Sequence, residues 1–252
     1  MKRLFPLLLL VPMVASAQAI VRSSRSASYA WQSGPLITAD ANTVLHVYWR
    51  NGALVDAKGN TWNMVGTVPQ VASLGPIPPG AGPFSDTAYY ESAVLDLMAA
   101  AGDFSYCVIY TSCNGNANVV GNGTAYGGTG IALLPGSATA LPASYINGAS
   151  LLDNVARSIA YPAISCMGRV VSTTTQYLKT NGHAVRSTSN AAYGNTTVTG
   201  TAPTRIGRYQ SAGGSATCTV VYEVWFSTTT PADALFTTIE AAVATKLALT
   251  WP

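Results

Sequence analysis

The chain has 252 residues, of which 48% are hydrophobic and 9% charged, with a formal net charge of +3. The hydrophobic content excludes a disordered chain, and the near-balance of charge removes the electrostatic basis for binding nucleic acid or an anionic membrane. Solubility is expected to rest on neutral polar residues, chiefly Ser, Thr, Asn and Gly, instead of ion pairs.

The N-terminus has the three parts of an export signal: Lys2 and Arg3, an apolar run from Leu4 to Val14, and the small-residue site Ala15-Ser16-Ala17. A run of about 11 apolar residues is too short to span a bilayer, which takes roughly 20. Cleavage is expected after Ala17 or Ala19, giving a secreted or periplasmic product with no membrane span. Loss of Lys2 and Arg3 leaves eleven basic against ten acidic residues. The expected organisation is a removed leader (1–19), an N-terminal extension (20–42) and one domain (43–252), because all-β sandwiches reach about 200–250 residues on one core.

Short alternating runs between Gly, Pro and Asn clusters predict many strands. Residues 43–50 put Leu45, Val47 and Trp49 on a core face and Val44, His46, Tyr48 and Arg50 on the other. Residues 61–68 form a further strand-like run, and 74–83 read as a long connection. Phe104 to Thr111 is apolar on both faces, as in a central strand. Residues 114–130 are rich in Gly and Asn without periodicity and predict a mobile surface loop.

Ile164 to Val171 predicts a strand, and Thr173 to Thr180 leads into Asn181-Gly182, the dipeptide of a type I′ turn. That turn sets Thr180 opposite His183 and Leu178 opposite Val185. Thr204 to Tyr209 and Cys218 to Phe226 complete the strands, the last with Cys218, Val220, Tyr222, Val224 and Phe226 on one face. A terminal helix is expected against the sandwich rim, with Thr230 as cap, Pro231 at the first helical position, and Leu235, Ile239, Val243 and Leu247 as its buried stripe.

In an oxidising compartment the four cysteines, Cys107, Cys113, Cys166 and Cys218, are expected to form two disulfides, with three connectivities open. Their spacing lacks the close ligand pairs of a structural zinc site.

Five segments taken in order, LVDAKGNTW (54–62), GDFSYCVIY (102–110), QYLKTNGHAV (176–185), TRIGRY (204–209) and TVVYEVWFS (219–227), resemble the laminin-G-like branch of the concanavalin A-like jelly rolls. The resemblance runs from residue 43 to 248. It implies an all-β fold of two antiparallel sheets packed face to face, with a short C-terminal helix. It also implies that Phe104–Ser112 and Cys218–Phe226 are neighbours, which sets Cys113 beside Cys218 and leaves Cys107 for Cys166. Members of the family often bind calcium at the rim; Asp153 and Asn154 are the donors this chain offers, well short of the six to eight oxygens calcium takes.

Glycosidases need two carboxylates flanking the scissile bond, yet the chain has three glutamates, Glu91, Glu223 and Glu240, and no strand that pairs them. Glu91 and Asp96 lie five apart, on opposite faces of an extended strand. Lyase chemistry has His183, Tyr177 and Arg186 to draw on, at an exposed hairpin. The favoured reading is therefore a secreted, non-catalytic recognition module for a polysaccharide, glycoprotein or surface protein. A structural or adhesive component of an extracellular assembly is second, and a polysaccharide hydrolase or lyase third. The expected contacts are Asn114, Asn116, Asn122 and Tyr126 in the 114–130 loop, with Asn181 and His183 at the hairpin tip. Asn122 and Asn195 also begin N-x-T glycan acceptor sequences.

Overall fold

The computed structural model describes residues 34–92, 102–111, 120–123, 130–134, 143–146, 149–152, 162–194, 203–208 and 220–251, with Tyr29 and Gln32. The strands in chain order are β1 (Thr43–Arg50), β2 (Ala53–Asp56), β3 (Asn63–Val65), β4 (Gln70–Val71), β5 (Gly80–Ala81), β6 (Tyr89–Ser92), β7 (Phe104–Thr111) and β8 (Val120–Gly123). They continue with β9 (Gly130–Leu134), β10 (Ala143–Ile146), β11 (Ala149–Leu152), β12 (Ala163–Val170), β13 (Thr175–Thr180), β14 (Arg186–Ser189), β15 (Thr204–Ile206) and β16 (Val220–Ser227). One α-helix, α1 (Asp233–Leu247), follows. No helix among the described residues is long and apolar enough to cross a membrane.

Among the described residues the strands form two antiparallel sheets. A nine-stranded sheet runs β14-β13-β12-β7-β16-β1-β2, with β5 on β16 and β4 on β5, and a seven-stranded sheet runs β11-β10-β9-β8-β15-β6-β3. Their facing sides enclose the larger core, where Leu45, Val47, Tyr106, Val108 and Phe226 of one sheet meet Tyr90, Ile131, Leu133 and Ile206 of the other. This is the expected two-sheet sandwich. Leu45, Val47 and Trp49 line its interior as their alternation predicts, and β7 is central, with Phe104 to Tyr110 all buried.

A second apolar layer lies on the outer side of the nine-stranded sheet. There Cys107, Ile109, Ile164, Cys166 and Trp225 pack under Phe236, Val243 and Leu247 of α1 and beside Leu36 and Ile37. The helix therefore covers a sheet face and not the sandwich rim. It needs that apolar cover because β7 and β12 carry large side chains on both sides, and an uncovered outer face would leave them in water.

Several expectations are corrected here. Phe236 and Glu240 join Val243 and Leu247 on the buried face of α1, while Leu235 and Ile239 are its half-buried margin. Ala232 occupies the cap position without a side-chain bond, and Thr230 instead donates to Asp103 Oδ2 at 2.9 Å. In β16 the pairing with β7 skips Tyr222, so the alternation reverses: Val224 and Phe226 face the sandwich interior, but Val220 and Tyr222 face the helix layer. A bulge adds one residue and so exchanges the two faces downstream of it.

The Asn181-Gly182 turn has the expected geometry, with φ of 47° and 73° and a 3.1 Å bond from the His183 N–H to the Thr180 carbonyl. Farther from the tip, however, Leu178 stands opposite Arg186 and not Val185. Val185 packs instead with the helix layer. The 114–130 segment is not wholly loop, since Val120–Gly123 is β8, held between β15 and β9. The packed body also reaches upstream of Thr43, because Leu36 and Ile37 are each 1% exposed.

Cys107 and Cys166 are directly opposed on β7 and β12, with Cα atoms 4.1 Å apart, and form a disulfide. Cys113 and Cys218 lie outside the described residues.

Candidate functional site

Lys179 sits next to the end of β13, between two inward-facing neighbours, and so projects to the outer side of its sheet, beneath α1. Its side chain is 5% exposed, and its ammonium donates to the His183 carbonyl at 2.6 Å and stands 3.5 Å from Glu240 Oε2 and 3.6 Å from Asp233 Oδ1. Glu240 is 3% exposed, so a cation from the sheet and a carboxylate from the helix meet where the two layers pack.

Beside this pair lies a cleft of about 350 Å³, closed by the hairpin tip at Gly182, by α1 and by the residues after it. Its polar lining is Lys179, Glu240, Thr237 and Thr250, and its apolar lining is Leu249, Trp251 and two helix alanines. Ala248, with φ of 52°, ends the helix in a left-handed turn, and the Leu249 N–H donates to the Ala244 carbonyl. That turn folds the C-terminal residues back, so that Leu249 and Trp251 pack on the helix layer. The Trp251 indole Nε1 is buried without a hydrogen-bond partner among the described residues.

The hairpin wall is tied to β12 through Asn181. Asn181 is 2% exposed, its side-chain oxygen accepts the Ile164 N–H at 2.9 Å, and its own N–H donates to the Ile164 carbonyl at 3.1 Å. The expected contact Asn181 is therefore spent on the fold. His183 is half-buried and contributes its carbonyl to Lys179. Asn122 lies in β8 opposite Ile131, within a sheet and not a free loop. Asn114, Asn116, Tyr126, Asp153, Asn154, Asp96 and Asn195 lie outside the described residues. Among the described residues no three metal-ligating side chains gather.

Among the described residues, five further carboxylates are engaged in holding the fold. Glu223, 1% exposed, accepts the Leu36 and Ile37 N–H groups at 2.6 and 2.7 Å and lies 2.8 Å from His46 Nε2. With the carboxylate accepting, the imidazole donates from Nε2. Asp40 accepts the hydroxyls of Thr43, Ser227 and Thr229. Asp56 accepts the Trp62 indole N–H and the Asn60 amide, and Asp103 accepts the Val171 N–H. Glu91 pairs with Arg205 at 3.2 Å.

The lyase candidates are not assembled either. Tyr177 packs with the helix layer and stands opposite Ser187, while Arg186 stands opposite Leu178, one position along the strand pair. Burial pushes the phenols of Tyr106, Tyr193 and Tyr222 up, keeping them neutral, with a partly offsetting bond from Thr111 at Tyr222.

No protein-family profile and no curated protein matches the sequence. Solved structures of similar fold include the binding domain of botulinum neurotoxin DC in complex with rat synaptotagmin II, at TM-score 0.57 and 9% identity, covering 80% of this chain and 52% of that one. The same type of domain in complex with SialylT gives TM-score 0.58 and 10% identity, covering 81% and 52%. A structure of botulinum neurotoxin type C, whose cell entry depends on two ganglioside molecules, gives 0.58 and 10%, covering 80% and 51%. The chain thus spans about half the length of these domains, and at such identity the likeness is one of fold, a β-sandwich shared with domains that bind sugars and proteins.

Proposed function

We propose that this chain is an exported, non-catalytic recognition module that binds carbohydrate or a glycosylated surface protein, on a fold of the laminin-G-like kind. The observation that carries the reading is the employment of the carboxylates: Glu223, Asp40, Asp56 and Asp103 each hold backbone or side-chain donors of the fold, and Glu240 is paired with Lys179 inside a packing layer. A glycosidase requires two carboxylates facing each other across a sugar. Support for recognition also comes from the fold neighbours, one bound to synaptotagmin II and one to SialylT. The order of the sequence segments supports the laminin-G-like assignment, and the tripartite N-terminus supports export. The test is a glycan array probed with the cleaved, oxidised protein, with and without calcium. Retention of at least one glycan structure is expected; silence across the array and across intact bacterial and animal cell surfaces would refute the proposal.

A further inference from the structure

We propose that the outer face of the seven-stranded sheet binds the carboxylate of an acidic sugar through Arg205 and Arg208, two arginines that lie over the ring of Tyr89. The proposal rests on the recognition reading above and adds to it a site and a class of sugar.

The placement follows from β6 and β15. Tyr90 and Ile206 face the sandwich interior, so Tyr89, Glu91 and Arg205, each one position away from them, face outward. Arg208 stands three positions beyond Arg205, and in an unbroken strand that odd step would send it to the opposite face. Gly207 breaks the alternation: its φ of 88° is one that few side chains adopt, and the Phe84 ring fills the place of a Cβ. The chain turns over Phe84, and both guanidiniums reach Tyr89, with their central carbons 5.2 and 4.9 Å from the ring centre.

The contact with the ring leaves the donors of the two arginines unspent. Each guanidinium has five N–H groups in a planar fork, and the ring attracts its charge without accepting any of them. Arg205 Nε donates to Glu91 Oε2 at 3.2 Å, whereas among the described residues no acceptor meets Arg208. The Arg205 side chain is 14% exposed and Arg208 is half-buried. Of their nitrogens only Arg208 Nε is both enclosed and without a partner, so the terminal nitrogens of both are open to solvent. Those terminal nitrogens are the groups that grip a carboxylate in the bidentate manner.

Charge then selects the ligand. Two guanidiniums and one carboxylate leave a single positive charge on the cluster, which matches one carboxylate of a sugar. Glu91, fixed beside Arg205, repels a second anion brought close. Beyond the leader the chain has eleven basic and ten acidic residues, so no broad positive field draws a membrane or a dense polyanion. A polysaccharide of uronic acid units, with one carboxylate per ring, fits the site.

The experiment titrates the cleaved, oxidised protein by calorimetry with oligogalacturonate, oligomannuronate, the methyl ester of each, a heparin tetrasaccharide, and vesicles of phosphatidylcholine and phosphatidylserine. The series is repeated on Arg208→Gln, Arg208→Lys and Glu91→Gln, with the melting temperature and the glycan array taken on each. At least one oligouronate should bind, at least tenfold more tightly than its uncharged ester. Arg208→Gln should weaken it about tenfold, and Arg208→Lys less, since lysine keeps the charge and loses the fork. Glu91→Gln should tighten it, because the competing anion is gone while the amide oxygen still accepts from Arg205; a purely structural role for the cluster cannot produce that gain. Binding of the ester equal to that of the acid, or oligouronate binding unmoved by both Arg208→Gln and Glu91→Gln, would overturn the site. Tighter binding of the heparin tetrasaccharide or of the vesicles than of either oligouronate would overturn the ligand class. Silence of both oligouronates beside retention of a neutral glycan on the array would overturn this proposal and leave the recognition reading standing. Silence in the titrations, on the array and on cell surfaces would overturn both.

Discussion

Replacing Glu223 by alanine should cost the fold about 3–5 kcal/mol, since it leaves three buried donors without their acceptor. The carboxylate is 1% exposed and receives three donors, the Leu36 N–H at 2.6 Å, the Ile37 N–H at 2.7 Å and His46 Nε2 at 2.8 Å. Each donor left buried and unsatisfied costs about 1–3 kcal/mol. Relaxation of the 35–37 segment recovers part of that for the two backbone groups, so the three losses do not simply add. The segment is also held by Lys246, which donates to the Pro35 and Leu36 carbonyls at 3.3 and 2.6 Å, and by the burial of Leu36 and Ile37 themselves. For a chain of this size 1 kcal/mol corresponds to about 2–4 °C in melting temperature, which gives a drop of about 6–20 °C. Urea unfolding of Glu223→Ala and Glu223→Gln gives the free energies, with glutamine between alanine and wild type because it keeps one of two acceptors. Amide exchange should show Leu36 and Ile37 losing protection before β7 does. A Glu223→Ala protein within about 0.5 kcal/mol of wild type would refute the claim that this carboxylate anchors the N-terminal segment.

Asp40 predicts an acid limb in the stability curve. Burial pushes its carboxyl up, but hydrogen bonds from Thr43, Thr229, Ser227 and the Asn42 backbone outweigh burial and hold it below its ordinary value. A carboxyl depressed in the folded state stabilises the fold above its unfolded pKa and ceases to do so as pH falls through the folded one, so stability should decline below about pH 4. Asp40→Asn, followed by melting temperature against pH, should flatten that decline. Reducing the Cys107–Cys166 bond, which spans 59 positions, should cost about 4 kcal/mol on the chain-entropy account, read as a shift in urea midpoint. The resemblance that pairs Cys107 with Cys166 also pairs Cys113 with Cys218; a non-reducing peptide map should therefore show that second bridge, and free thiols at both would contradict it. Gly207, with φ of 88°, lies against the Phe84 ring where a Cβ would overlap it, so Gly207→Ala should destabilise strongly in the same assay.

The inner face of β1 was legible from Leu45, Val47 and Trp49 alternating with His46 and Tyr48. An irregularity between Thr43 and Leu45 nevertheless puts Val44 against the inner core and not on the outer face expected of it. β7 was legible as central because both its faces are apolar. The Asn181-Gly182 turn was legible because few other dipeptides accept two positive φ values. The same pair at Asn51-Gly52, with φ of 52° and 75°, carries the β1–β2 hairpin and was open to the same reasoning. The bulge at Tyr222 left no mark in the sequence, since no glycine or proline stands there, and its effect is to exchange faces over the rest of β16. The Leu178–Arg186 pairing escaped for a like reason, a one-residue shift beyond a correctly read turn.

The candidate site was harder to read. Sequence reasoning reached the hairpin tip through His183 but did not bring Lys179, Glu240 and Trp251 together. A glutamate in a helix reads as solvated until the cation that meets it is placed, and Lys179 comes from a strand 61 positions earlier. Trp251 follows a helix end set by Ala248, a residue with no sequence signature for a left-handed turn. The outer layer under α1 was likewise hidden, because a strand buried on both sides says that something covers it without saying what.

Recognition without turnover is the central claim, and it is tested most directly by holding a glycan retained on the array with a stoichiometric amount of protein for a day. Bound fraction and chain length are then read from the same sample by native and released-glycan mass spectrometry. The account predicts a saturable complex and a glycan recovered at full length. A glycan shortened, or bearing the unsaturated end that elimination leaves, would contradict it.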